Sequence, residues 1–270
     1  MKMIRGAVLG SPISHSLSPL LHSDAFRYLG INGNYEAIEV GSGELAGFLK
    51  EGKRNFDYFS LTMPLKEELL TLDYPISEIA RKSQSANTLF KSGQEWMVTS
   101  TDGVGFINSL RHIAFENFES VLILGAGGTA RAIASALDGI ASSITVMGRT
   151  NARKESLESI VRNSSFNYIR WSDNQSLTPY SLIVNTTPAG AADLLAENID
   201  YQVTGLLYEV IYKPWPTVLV DKWNSLGARH LSGLELLIYQ GIEQIRIAIA
   251  LDFDQEDLAE YLRNSLKKSL

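Results

Sequence analysis

Val121-Leu-Ile-Leu-Gly125-Ala-Gly-Gly-Thr-Ala130-Arg-Ala-Ile-Ala134 is the stretch on which the reading of the fold turns. Four apolar residues, 121–124, predict a short strand buried in a parallel sheet. Gly125 to Ala130 then fit G-x-G-x-x-A. Gly125 suits the tight turn, Ala126 links it to Gly127, and Gly127 allows a close backbone approach to a pyrophosphate. Ala130 keeps the next helix near its strand. Gly128 and Thr129 open that helix, whose first-turn amides and dipole favour an anion. A tight strand-to-helix turn with no ligand has the same local pattern. The strand before it and the alanine-rich helix after it favour the nucleotide site.

The rest of the composition agrees. A chain of 270 residues has length for two domains and an ample core. An apolar fraction of 45% and a charged fraction of 20% are ordinary for a globular protein. A net charge of -6 argues against nucleic acid or an anionic membrane as partner. With no cysteine there is neither a disulfide framework nor thiolate chemistry, and four scattered histidines suggest no zinc site. The opening MKMIRGAVLG has too short an apolar core for a signal peptide, and no run of about 18 apolar residues exists. The expected location is cytoplasmic. No internal repeat or low-complexity segment is present.

Before the glycine turn, strand and helix alternate. A strand over 4–9 leads into Gly10-Ser-Pro-Ile-Ser-His-Ser-Leu-Ser-Pro-Leu-Leu-His22. Ser18 suits the N-cap, Pro19 the first helical position, and Gly30 the helix end. Ser16 and Ser18 then offer two hydroxyl donors at a helix N-terminus, a seat for a small carboxylate or simple capping. Strands over 35–40 and 58–62 flank a helix over 42–50. The second of them runs into Ser60-Leu-Thr62-Met-Pro64-Leu-Lys66. Lys66 lies just past a strand's carboxyl end, the edge at which open α/β sheets bind ligands, although most lysines there are merely solvated. A helix over 77–82, the run Ala86-Asn87-Thr88-Leu89 and a hairpin through Gly93 follow. Asp102 then opens another helix, as N-cap or as a ligand-facing carboxylate.

After the glycine turn, a strand over 143–147 ends in Gly148-Arg149-Thr150-Asn-Ala-Arg153. A carboxylate about 20 residues past the glycines would hold the ribose hydroxyls of NAD. None lies between Asp138 and Glu155. Arginines stand there instead, as a 2′-phosphate requires. A strand over 182–184 ends in Asn185-Thr-Thr-Pro-Ala-Gly190, and one over 206–211 leads into Tyr212-Lys-Pro-Trp-Pro-Thr217. Gly233 starts a long helix in which Gln240 shares a face with Leu236 and Leu237. An inward amide needs partners, from a polyhydroxylated substrate or from backbone carbonyls.

These pieces together resemble the shikimate dehydrogenase family over residues 10–240. The serine pair Ser16/Ser18, T-x-P-x-K at Thr62, Pro64 and Lys66, A-N-T-L at Asn87 and T-D-G-x-G at Asp102 occur in the family's order and spacing. Y-x-P-x-x-T at Tyr212 and G-x-x-x-L-x-x-Q ending at Gln240 follow, with Leu236 for a methionine. The resemblance implies an α/β protein with a substrate domain of residues 1–102 and 233–270 and a Rossmann-type NADP domain of 103–232. It implies reversible NADPH-dependent reduction of 3-dehydroshikimate to shikimate, a step of chorismate and aromatic amino-acid biosynthesis. Lys66 and Asp102 are then the catalytic pair. Ser16 and Ser18 take the carboxylate, and Thr62, Asn87, Tyr212 and Gln240 surround the ring. Gly125, Ala126, Gly127, Gly128, Thr129, Arg149, Thr150, Arg153, Val210 and Gly233 hold NADP. No metal is implied, and the assembly is a monomer or homodimer.

Five places depart from the family pattern: Ser60, Gln84-Ser85, Ser100, Gly148 and Glu209. Alternatives are a quinate/shikimate dehydrogenase using NAD, a non-catalytic NADPH-binding regulator, and a folate-linked dehydrogenase on a similar scaffold. Lys66 and Asp102 argue against the regulator, and the substrate-binding set against the folate enzyme.

Overall fold

The computed structural model describes residues 3–269. The chain divides into two compact units, one running to Asn108 and joined by Leu237–Ser269, the other Ser109–Leu236. The divisions fall inside the helices Asp102–His112 and Gly233–Ile249 rather than at their first residues.

In the first unit, β1 (Ile4–Gly10), β2 (Gly33–Glu39), β3 (Tyr58–Leu61), β4 (Thr88–Ser92) and β5 (Glu95–Thr99) form a sheet of order β2-β1-β3-β4-β5. β1 runs parallel to both neighbours, and β4 and β5 add an antiparallel hairpin. Five consecutive residues of β1 are buried, the pattern of a strand covered on both faces. Ala7, Leu9, Leu45, Leu49, Phe59 and Leu61 share one core. The helix after β1 is Ser18–Tyr28, with Leu17 at its cap position and no side-chain cap bond. Ser18 is therefore inside the helix and does not cap it. The hydroxyl that accepts from a backbone amide here is Ser16 Oγ, from Ser18 N at 3.2 Å. Gly30, at φ +65°, follows the helix end as expected.

In the second unit, β6 (Ser120–Leu124), β7 (Ser143–Gly148), β8 (Ser165–Arg170), β9 (Leu182–Asn185), β10 (Leu206–Glu209) and β11 (His230–Ser232) pair in the order β11-β10-β9-β6-β7-β8. Every pairing is parallel. Numbered from β6, this is the doubly wound order 3-2-1-4-5-6 read from the opposite edge. Leu122, Leu124, Met147, Ile183, Leu207 and Trp223 pack in its core. β8 and β11 have no counterpart in the sequence reading. Both are edge strands without an unbroken apolar run, and β11 has only three residues. β10 stops at Glu209 instead of 211, because Glu209 Oε1 accepts from Ile211 N at 3.2 Å and turns the chain. Among the described residues, no helix is long and apolar enough to cross a membrane.

Candidate active site

In the first unit the strand order reverses between β1 and β3, and a crevice outside the carboxyl ends of the strands is where such sheets bind ligands. Ser16 and Ser18 follow β1, and Thr62 and Lys66 follow β3. The turn at Thr62 is tied twice by backbone, Thr62 N to Leu9 O at 2.9 Å and Leu65 N to Thr62 O at 2.8 Å. Lys66 lies in the short helix Leu65–Glu68, and its carbonyl accepts from Ala86 N at 2.9 Å. That bond brings the chain before Asn87 alongside it.

The side chains converge. Lys66 Nζ donates to Asp102 Oδ2 at 2.5 Å, and Asp102 Oδ1 accepts from Asn87 Nδ2 at 2.8 Å. Asp102 is the first residue of its helix and buried, so its two oxygens are engaged by side chains from two other segments. Asn87 Nδ2 also lies 3.2 Å from Gln240 Oε1, while Asn87 Oδ1 accepts from Thr101 N at 2.8 Å. Gln240 Nε2 donates to Leu237 O at 2.9 Å, so one of the two kinds of partner expected for this amide is a backbone carbonyl of its own helix. Asn87 Nδ2 thus ties the Asp102 carboxylate to the amide oxygen of Gln240.

Beneath this cluster lies a second layer that sequence reasoning did not assemble. Tyr35 OH donates to Ser60 Oγ at 2.5 Å, and Ser60 Oγ donates to Gln244 Oε1 at 2.7 Å. Gln244 Nε2 donates to Thr88 Oγ1 at 3.2 Å, and Thr88 Oγ1 to Asn87 Oδ1 at 2.9 Å. Buried polar groups must be paired, and here each pairing also orients the next member. Gln244 lies one helical turn past Gln240, the only local signal that could have marked it. Behind Tyr35, His22 stacks on its ring at 3.9 Å, with Nδ1 2.7 Å from Tyr58 OH. Burial pushes His22 down to about 3, and it pushes both tyrosines above their ordinary range.

In the second unit, Gly125 has φ +101°, and a Cβ there would stand 2.6 Å from Thr186 Oγ1. The turn needs glycine on both counts. A Cβ at Gly127 would meet nothing within 4 Å, so the turn opens onto free space above the helix Gly128–Leu137. That space, at the first turn of a helix and beside the reversal of strand order between β6 and β9, fits a dinucleotide pyrophosphate. Ala126 and Thr129 belong to the same turn and first helical residues. Arg149, Thr150 and Arg153 follow β7 in an exposed segment. Thr150 Oγ1 accepts from Ala152 N at 3.4 Å and so caps the single turn Asn151–Arg153. Val210 and Gly233 are brought into contact, since a Cβ at Gly233 would lie 1.9 Å from Val210 O. Nearby, Asn185 Nδ2 and Thr217 Oγ1 donate to Glu209 Oε2 at 2.9 and 3.1 Å. Burial pushes the Glu209 carboxyl above its ordinary value against those bonds. Tyr212 belongs to this unit and is half-buried, whereas Ser16, Ser18, Thr62, Lys66, Asn87, Asp102 and Gln240 all belong to the first.

The sheet order and glycine turn place the second unit among Rossmann-type dinucleotide-binding folds, joined in one chain to another α/β unit. A family model described as the shikimate dehydrogenase substrate binding domain matches residues 8–89. The shikimate dehydrogenase (NADP(+)) of Exiguobacterium sibiricum is 34% identical over 240 residues, 88% of this chain and 89% of its own. The crystal structure of Mycobacterium tuberculosis shikimate dehydrogenase superposes with a TM-score of 0.86 at 30% identity, covering 97% of this chain and 99% of that one. The shikimate 5-dehydrogenase of Thermus thermophilus, in complex with NADP(H) and shikimate, does so with a TM-score of 0.80 at 30% identity, covering 97% and 100%. The chain belongs to the shikimate dehydrogenase family.

Proposed function

We propose that this protein is an NADP-dependent shikimate dehydrogenase that interconverts 3-dehydroshikimate and shikimate. The observation that carries the reading is the cluster of half-buried Lys66 with buried Asp102, Asn87 and Gln240 at the carboxyl edge of the first unit's sheet. When bound at the glycine turn, NADPH supplies a hydride to the carbonyl carbon. The chain must supply a proton to the oxygen and stabilise charge while it develops there.

Lys66 fits that task. An ammonium carries three protons, and Asp102 engages one of them at 2.5 Å. The carboxylate holds the amine in place, and Asn87 holds the carboxylate. Lys66 delivers the proton to the nascent alkoxide in reduction and receives it in the reverse direction, while Asp102 grips the reacting hydroxyl region. Ser16 has accepted a backbone bond and retains its hydroxyl proton for a substrate carboxylate, with Ser18 beside it. Thr62, Asn87 and Gln240 provide polar contacts around the ring. Residues 125–129 hold the pyrophosphate, Arg149, Thr150 and Arg153 the 2′-phosphate, and Val210 with Gly233 complete the cofactor site. The unit carrying Lys66 is the substrate domain and the unit carrying the glycine turn is the NADP domain.

The test is direct. Purified protein is supplied with shikimate or quinate, each with NADP or NAD, and nicotinamide absorbance is followed. Turnover of shikimate with NADP above the other three pairings is expected. Absence of turnover with shikimate, or a preference for NAD, overturns the reading.

A further inference from the structure

Gly148 ends β7 immediately before Arg149 and Thr150. The volume that a side chain would fill there is taken by Tyr168. A Cβ built on Gly148 would stand 1.9 Å from the Tyr168 hydroxyl oxygen, 2.8 Å from its Cζ and 3.5 Å from Ala126 Cβ. Tyr168 comes from β8, where it pairs with Val146, and Gly148 pairs with Arg170 two residues on. Alternate residues of a strand share a face. A tyrosine at 168 therefore leans along the sheet over position 148 and reaches its carboxyl edge beside the glycine turn.

The hydroxyl has a definite partner there. Tyr168 OH donates to Thr150 O at 2.6 Å. The same Thr150 caps the turn Asn151–Arg153 with its side chain, so this residue is held at its carbonyl by Tyr168 and used at its hydroxyl to set the turn. Arg149 and Arg153 flank it. Partial burial raises the Tyr168 pKa, and the phenol remains a donor at physiological pH.

We propose that Tyr168 is a positioning residue for cofactor choice: by filling the space left by Gly148 and holding the Thr150 carbonyl, it fixes the arginine-bearing segment that takes the 2′-phosphate of NADP. A glycine at 148 is what makes room for it. The inference rests on the NADP reading above.

The test uses the full chain and two probes, adenosine 2′,5′-bisphosphate and adenosine 5′-monophosphate, with binding measured by calorimetry. The wild-type protein is expected to bind the bisphosphate more tightly. Tyr168→Phe removes one neutral hydrogen bond and should weaken the bisphosphate about 2- to 10-fold, leaving the monophosphate within about twofold. In turnover, the KM for NADPH should rise by the same factor with kcat unchanged. Gly148→Ala pushes the hydroxyl off Thr150 and should reproduce the loss, yet add little in a Tyr168→Ala background. Equal weakening of both probes by Tyr168→Phe, or weakening of neither, overturns the proposal while the NADP reading stands. No preference of the wild-type protein for the bisphosphate removes the NADP reading, and this inference with it.

Discussion

At the scale of single residues, Lys66 and Asp102 separate chemistry from scaffolding. Lys66→Ala removes the proton donor from a short helix whose backbone ties, Leu65 N to Thr62 O and Ala86 N to Lys66 O, do not depend on its side chain. Catalysis should fall by about 10²-fold or more while NADP still binds, typical of a lost general acid. Turnover near wild type would return Lys66 to the ranks of solvated lysines. Asp102→Asn keeps an oxygen for Asn87 and loses the charge beside Lys66. A charge-assisted hydrogen bond is worth about 1.5–3 kcal/mol, so kcat should drop about 10- to 100-fold with little change in melting temperature. A fall in stability that matched the fall in activity would make Asp102 a helix-opening residue and nothing more.

At the scale of elements, the site depends on how closely two helices pass within the first unit. A Cβ on Gly105, in the helix opened by Asp102, would stand 2.5 Å from Gln240 N and 2.8 Å from Gln240 Cα. These are backbone atoms of the helix Gly233–Ile249, which have no rotamer by which to move aside. Gly105→Ala must therefore push the helices apart, at a cost of about 1–3 kcal/mol typical of overpacking. The same shift draws Gln240 away from Asn87. A lowered melting temperature together with a raised KM for shikimate is expected, measured by thermal melts and initial rates. If both stay at wild-type values, the close approach does not constrain the site. The short edge strands are also decided at this scale: β11 has three half-buried residues and joins the sheet only because β10 offers it a partner.

At the scale of the whole molecule, the buried layer beneath the site makes stability depend on acidity. His22 has a folded-state value of about 3, below the ordinary 6.5, because it is buried against Tyr35 and Tyr58. Above pH 6.5 neither the folded nor the unfolded chain protonates it, and it contributes no pH dependence. Below 6.5 the unfolded chain takes up a proton that the folded chain refuses until about pH 3, so stability falls across that window. At about 1.36 kcal/mol per pH unit, moving from pH 7 to pH 5 costs about 2 kcal/mol through this one residue. Denaturant titrations at the two pH values should show that loss in the wild-type chain. His22→Gln, neutral throughout, should lack it, and equal losses in both proteins would refute the assignment.

The sequence by itself determined what depends on neighbours along the chain. The turn at 125–130 was legible because a positive φ at Gly125, an open position at Gly127 and a small residue at Ala130 each follow from backbone sterics within six residues. The place of Lys66 was legible because strand, turn and short helix are consecutive. Nearby, the expected cap at Ser18 did not form: Leu17 holds the cap position with no side-chain bond, and Ser16 Oγ accepts from Ser18 N, an arrangement that only the folded loop decides. The tertiary structure alone decided the rest. Asn87 meets Gln240, Ser60 meets Gln244, and Tyr168 covers Gly148, through side chains that come from separate strands and helices. No spacing along the chain records such meetings. They exist because sheet order and helix packing bring those residues within hydrogen-bond or van der Waals reach, and burial then requires each polar group to find its partner.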